Sequence, residues 1–191
     1  YRGSRDALLQ KTMDEPELGW RVLITLNAFR LLISTTLLLL FAIGSEPHFF
    51  GDARPTLFAA CVAGYLVFAI LSAVSLRQQW VPRTALAVTQ LVADIIAIVL
   101  LMHASGGISS GLGGLLVIFI GAGSLVIPMT VSATLAALAT FAILGEHAYS
   151  QIISVSSTAN YPAAGILSAV IFAIALASQP LARRIRATEA L

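Results

Sequence analysis

Charge is what this sequence has least of. Only 10% of its 191 residues are Asp, Glu, Lys or Arg, while 58% are hydrophobic. A soluble domain carries about 25% charged residues, so this chain has too few to clothe a surface in water. The shortage is regional as well. Between Ala85 and Ile152 the only charged side chains are Asp94 and Glu146. Cysteine is almost missing: the single Cys61 excludes an intrachain disulfide framework, and its place inside an apolar run marks it as a small apolar residue. The alternating polarity of a membrane β-barrel is absent. No internal repeat is evident, and no matched pair of interrupted helices marks an inverted-repeat transporter. The net charge of +2 implies no nucleic-acid partner, because the basic residues flank apolar segments.

What is present is a series of apolar runs with short polar breaks, at a mean hydropathy of +0.92. Runs near 20 residues match the hydrocarbon thickness of a bilayer. The first is far longer than a signal-peptide core of roughly 7–15 residues and is retained. The pattern predicts six helices, over 22–43, 57–76, 85–102, 112–127, 131–152 and 164–182. Pro55 suits a first helical turn, Pro162 lies just inside the last helix, and Asn160 is a candidate cap. The fold class is therefore all-α: a polytopic membrane protein built as a six-transmembrane-helix bundle.

Orientation follows from Lys and Arg. With the N-terminus inside, nine of these residues fall in inner segments and only Arg54 in an outer loop, with Arg30 left inside the membrane. That asymmetry predicts N-in/C-in topology. Trp20 and Trp80 both fall at inner boundaries, where amphipathic rings prefer to lie. Residues 1–20 are a cytoplasmic segment, on the inner surface or partly disordered, 21–182 the membrane domain, and 183–191 the start of a cytoplasmic linker.

The stretch "ASGGISSGLGG" (104–114) looks like a phosphate loop but lacks what such a loop needs. A P-loop requires G-x-x-x-x-G-K-[ST]; here Leu112 stands at the lysine position and Gly113 at the hydroxyl position. Structural roles fit better. Gly106 and Gly107 turn the chain, and Ser109 or Ser110 caps the fourth helix. Gly111, Gly113 and Gly114, with Gly121 and Gly123, form a small face on which helix backbones approach closely. Close packing is preferred over ligand contact.

The polar residues inside the membrane are few. Arg30 lies nine residues past Arg21 and Asp94 eleven past Arg83, which places them roughly 13 and 16 Å from the inner boundary. They can meet at nearly one level, and charges there are expected to face the bundle interior. Gln90, one turn before Asp94, is placed to hydrogen-bond it or a neighbouring helix. Glu146 and His147 lie toward the outer end of the fifth helix, and Gln151 shares a face with His147. The "GEHAYS" string lacks the second histidine of H-E-x-x-H, so a zinc protease is not supported. His48, His103 and His147 read as interfacial residues rather than as a metal site or pH sensor. The serines have no nucleophile elbow around them. No catalytic residue, metal ligand or cofactor site is assigned.

At the C-terminal end, "SQPLARRIRATEAL" carries the sixth helix into water, with Pro180 at the boundary and Arg183 and Arg184 just beyond. Leu181, Ile185 and Thr188 have a spacing suggestive of a short coiled-coil seam.

Three stretches carry a family resemblance: "ASGGISSGLGGLLVI", "ELGWRVLITLNAFRLLIS" (17–34) with its intramembrane arginine, and "LVADIIAIVLLMHASGG" (91–107) with its intramembrane aspartate. Their order over 17–186 resembles the membrane region of PilS-type sensor histidine kinases, which control type IV pilin transcription. The resemblance implies a sensor domain in the bacterial inner membrane, a homodimer, and a downstream histidine kinase that uses ATP and Mg and phosphorylates a response regulator. This chain is then the input domain alone, with no histidine, asparagine or glycine box, no catalysis and no cofactor of its own. The input it implies is the apolar N-terminal helix of type IV pilin, read within the bilayer. Pilin helices of this family carry one acidic residue, so two readings of the membrane charges stand. Arg30 and Asp94 are a structural pair, the reading placed first, or Arg30 receives the pilin carboxylate in competition with Asp94. The alternatives at this stage are an input domain for another ligand and a small transporter or channel subunit. The latter is disfavoured by the scarcity of polar residues in the second and fourth helices.

Overall fold

The structure is a computed structural model that describes residues 2–44, 50–78, 82–153 and 161–188, with side chains over 19–44, 50–78, 82–153 and 162–180. The described residues contain six α-helices and no strand: α1 (Arg2–Ile43), α2 (Pro55–Gln78), α3 (Arg83–Ala104), α4 (Gly114–Gly123), α5 (Met129–Ile153) and α6 (Tyr161–Thr188). Five of them contain a stretch long and apolar enough to cross a bilayer. In α1 that stretch is Gly19–Ile43, and the helix extends from it back to Arg2.

The helices begin and end where the local chemistry allows. Pro55 opens α2 and Pro162 sits in the first turn of α6, where the missing N–H removes no helical bond. Asn160 lies outside the described residues. The chain between α1 and α2 is fastened to the far end of α3: the Gly51 amide donates to Ser105 Oγ at 3.0 Å, and the Arg54 amide to the Ala104 carbonyl at 3.0 Å.

The fourth helix differs from expectation. The span predicted over 112–127 is helical only from Gly114 to Gly123, ten residues that rise about 15 Å, half a bilayer. Before it, Gly106, Gly107 and Gly111 hold positive φ of 88°, 83° and 74° around a 3₁₀ turn at Gly107–Ser110. That backbone is open to glycine and strained for other residues. Ser109 and Ser110 do not cap α4, whose N-cap is Gly113 with no side-chain bond. Ser109 Oγ instead donates to the Gly106 carbonyl at 3.1 Å, and Ser110 Oγ accepts from the Leu112 amide at 3.4 Å. The serines tighten the turn that precedes the helix.

Packing is organised around α3, half of whose span is buried. One stripe of α2 (Phe58, Val62, Tyr65, Ala69, Ser72 and Leu76) is buried, and the 3–4 spacing puts it on one face. The opposite face exposes Val67, Ile70, Leu71 and Val74, as lipid contact requires. The expected small-residue face is realised at three glycines. Gly113 lies against Leu167 and Met102, Gly121 against Ile174, and Gly123 against Leu91. Gly111 and Gly114 face open space. α6 runs without a break through Pro180 to Thr188. Arg183, Arg184 and the proposed seam of Leu181, Ile185 and Thr188 are on that helix, with side chains outside the described residues.

Candidate functional site

The site is a buried charge cluster that joins the first three helices. Arg30 projects from α1, and its guanidinium forks onto Asp94 of α3, with Nε donating to Oδ1 at 2.6 Å and Nη2 to Oδ2 at 2.6 Å. Both side chains have 0% exposure. This bidentate arrangement is the strongest geometry available to the two groups. Burial makes both partners indispensable, since a lone charge in the hydrocarbon region is unfavourable by several kcal/mol.

Five further helical positions complete the cluster. Tyr65 of α2 donates its hydroxyl to Asp94 Oδ1 at 2.7 Å, so the carboxylate holds α1 and α2 to α3 at once. Asn27, one turn before Arg30, accepts from Arg30 Nη1 through Oδ1 at 3.3 Å. The guanidinium carbon lies 5.9 Å from the Phe68 ring centroid and 5.5 Å from that of Phe119 on α4, within cation–π range. Ser34 bonds back to the Arg30 carbonyl at 2.9 Å. Aromatic rings box the cation on two sides.

The sequence places Arg30 and Asp94 at one depth, and the structure brings them together. It does not join Gln90 to them. Gln90 is 1% exposed, and neither its oxygen nor its nitrogen finds a hydrogen-bond partner among the described residues. A one-turn offset puts Gln90 and Asp94 on one side of α3, yet Asp94 takes its bonds from Arg30 and Tyr65 and none from Gln90.

Tyr65, Asn27, Phe68 and Phe119 are the members that sequence reasoning missed. Tyr65 had a readable signal, because it is the polar aromatic on the 58–62–65–69–72–76 stripe of an otherwise apolar helix. Tyr65→Phe keeps the ring and removes the hydroxyl, leaving Arg30 on Asp94. The expected loss is about 1.5–3 kcal/mol of stability in detergent unfolding, the range for a hydrogen bond to a charged group, below the effect of removing either charge.

Glu146 belongs to a second, separate cluster near the C-terminal end of α3, with His103 and Ser150. His103 Nδ1 is 3.1 Å from Glu146 Oε1, and Ser150 Oγ donates to the same oxygen at 2.7 Å. The His103 ring also lies 5.8 Å from that of Tyr149. Gly107 leaves room over the carboxylate: a side chain there would begin 3.9 Å from both oxygens. His147 is buried beside Glu146 on α5. Among the described residues no group of three His, Cys, Asp or Glu side chains is placed to hold a metal. At the other end of the bundle, Gln179 of α6 donates to the Ser124 carbonyl at 3.1 Å, one residue before Pro180.

An all-helical membrane bundle with a buried Arg–Asp pair on its first and third helices and a glycine turn before its fourth defines a class. The chain belongs to the PilS-like transmembrane domain family, which matches residues 12–191. Among individual proteins it is similar to the sensor protein kinase PilS of Pseudomonas aeruginosa, with 33% identity over 177 residues. That match covers 92% of this chain and 33% of the relative, so the chain spans about a third of that protein's length. No solved structure matches.

Proposed function

We propose that this domain is the membrane input of a two-component sensor histidine kinase and that it reads a type IV pilin helix within the bacterial inner membrane. The support is family membership together with the Arg30–Asp94–Tyr65 cluster. A fully buried, bidentate ion pair between α1 and α3, tied to α2 through Tyr65, becomes a switch when a second carboxylate competes for the guanidinium, giving a closed and an exchanged state. A pilin helix brings one carboxylate into the bilayer. Entering beside α1, it takes the Arg30 guanidinium from Asp94 and leaves Asp94 to Tyr65. Because Arg30 is enclosed by Phe68 and Phe119, that exchange requires α1 and α2 to part, so recognition and rearrangement are one event.

The Lys and Arg distribution supports N-in/C-in topology, which sends α6 toward the cytoplasm. Gln179 holds α6 to the last turn of α4 just before Pro180, so α6 is positioned to pass displacement of the bundle into the linker, across a homodimer. Kinase activity, ATP and Mg use, and transfer to a response regulator belong to the chain beyond the input domain.

The test exchanges the charges in the intact protein, Arg30→Asp with Asp94→Arg, and follows a pilin-promoter reporter with and without pilin. The proposal expects a folded, membrane-inserted protein whose output no longer follows pilin. A retained pilin response would make the pair a structural lock only.

A further inference from the structure

A groove of about 310 Å³ lies between α1 and α2, in the half of the bundle that holds Trp20 and Arg77. Its chemistry is graded. Trp20 and the exposed Arg77 stand at the mouth, Ile24, Ala28 and Ala73 line the walls, and Asn27 lies at the floor. Arg77 is in the last turn of α2, and Ala73 is one turn deeper, a step of about 5.4 Å. Asn27 is 4% exposed, and its oxygen already accepts from Arg30. What it has left to offer the groove is its NH₂ group.

A cation and an indole at the boundary, an amide donor about two turns past the indole on α1 and apolar walls match the parts of one molecule. We propose that this groove holds an anionic phospholipid. Its phosphate sits on the Arg77 guanidinium, whose planar fork suits phosphate oxygens. Its glycerol ester carbonyl, deeper than the phosphate, accepts from the Asn27 amide, and an acyl chain follows Ala28 and Ala73. Basic pockets between transmembrane helices bind acidic head groups on this physical basis. The charge at Arg77 favours an anionic over a zwitterionic lipid. The seated lipid also touches a residue bonded to Arg30, so lipid composition biases the buried cluster without entering it. The inference does not depend on pilin sensing.

The chain has two tryptophans, so Trp80→Phe leaves Trp20 as the reporter at the groove mouth. The full chain in bilayers is titrated with brominated phosphatidylglycerol or brominated phosphatidylethanolamine at equal mole fraction. The expected result is at least two-fold stronger quenching by the anionic lipid. Arg77→Gln, at an exposed position, is expected to equalise the two lipids. Ala28→Phe, also exposed, fills the groove and weakens quenching by both. Equal quenching of the starting protein by both lipids, or a preference that survives Arg77→Gln, overturns the proposal. Weak quenching by both lipids also overturns it, since the groove is then closed to lipid.

Discussion

Arg30→Met alone is expected to lower the stability of the detergent-solubilised domain by about 3–5 kcal/mol, the usual range for stranding one partner of a buried ion pair. The reason is what remains. Asp94, with 0% exposure, loses both guanidinium bonds and keeps only the Tyr65 hydroxyl at 2.7 Å. Asp94→Leu strands the guanidinium instead, with Asn27 and two aromatic rings as its remaining neighbours, and is expected to fall in the same range. The double variant Arg30→Met with Asp94→Leu removes both charges and is expected to recover most of the loss, because an apolar pair of similar volume is often neutral or better. Denaturant unfolding of the four proteins closes the cycle. Additive losses would mean that the two side chains do not depend on each other, against the geometry.

The second large effect lies at Gly123. A Cβ built there comes within 2.6 and 2.8 Å of the two terminal carbons of Leu91, which is 2% exposed at the α3–α4 contact. Gly123→Leu therefore forces α4 off α3 and is expected to destabilise by about 3 kcal/mol, at the upper end of ordinary overpacking. Gly114→Ala is the control, since nothing lies within 4 Å of that site, and it is expected to be close to neutral. Leu91→Ala in the Gly123→Leu background makes room and is expected to recover part of the loss. Thermal unfolding of these variants checks the order, and equal effects at Gly123 and Gly114 would contradict close packing as the role of the glycine-rich face.

Much of this architecture was legible before any coordinates, for a physical reason. In a bilayer the length, polarity and flanking charge of each segment are constrained directly, so six apolar runs and their breaks could be read one by one. Depth could be read too, because a helix rises by a fixed step: nine residues past Arg21 and eleven past Arg83 put two opposite charges at one level. What depth does not give is azimuth. Gln90 and Asp94 share a side of α3, yet Asp94 spends its oxygens on Arg30 and Tyr65 while Gln90 meets neither. Tyr65 stands out on its stripe, but its partner depends on which helices are neighbours, a tertiary fact, whereas Asn27 meets Arg30 within α1, three residues away.

The fourth helix was misread in length for a related reason. Hydropathy counts Leu112 to Ile127 as one apolar run, but glycines in positive-φ turns before it and Gly123–Ser124 at its end leave ten helical residues. Apolar side chains say that a segment sits in the membrane. Backbone freedom decides how much of it is helix.

The proposed exchange of carboxylates at Arg30 is best tested with purified parts. The intact protein, carrying its kinase region, is reconstituted in liposomes with pilin or with pilin whose single acidic residue in the apolar helix is neutralised, and autophosphorylation is followed with labelled ATP. The predicted result is a several-fold change in rate with the acidic pilin and none with the neutralised one. The same rate with both pilins would contradict recognition through Arg30 and leave the Arg30–Asp94 pair as a structural clamp.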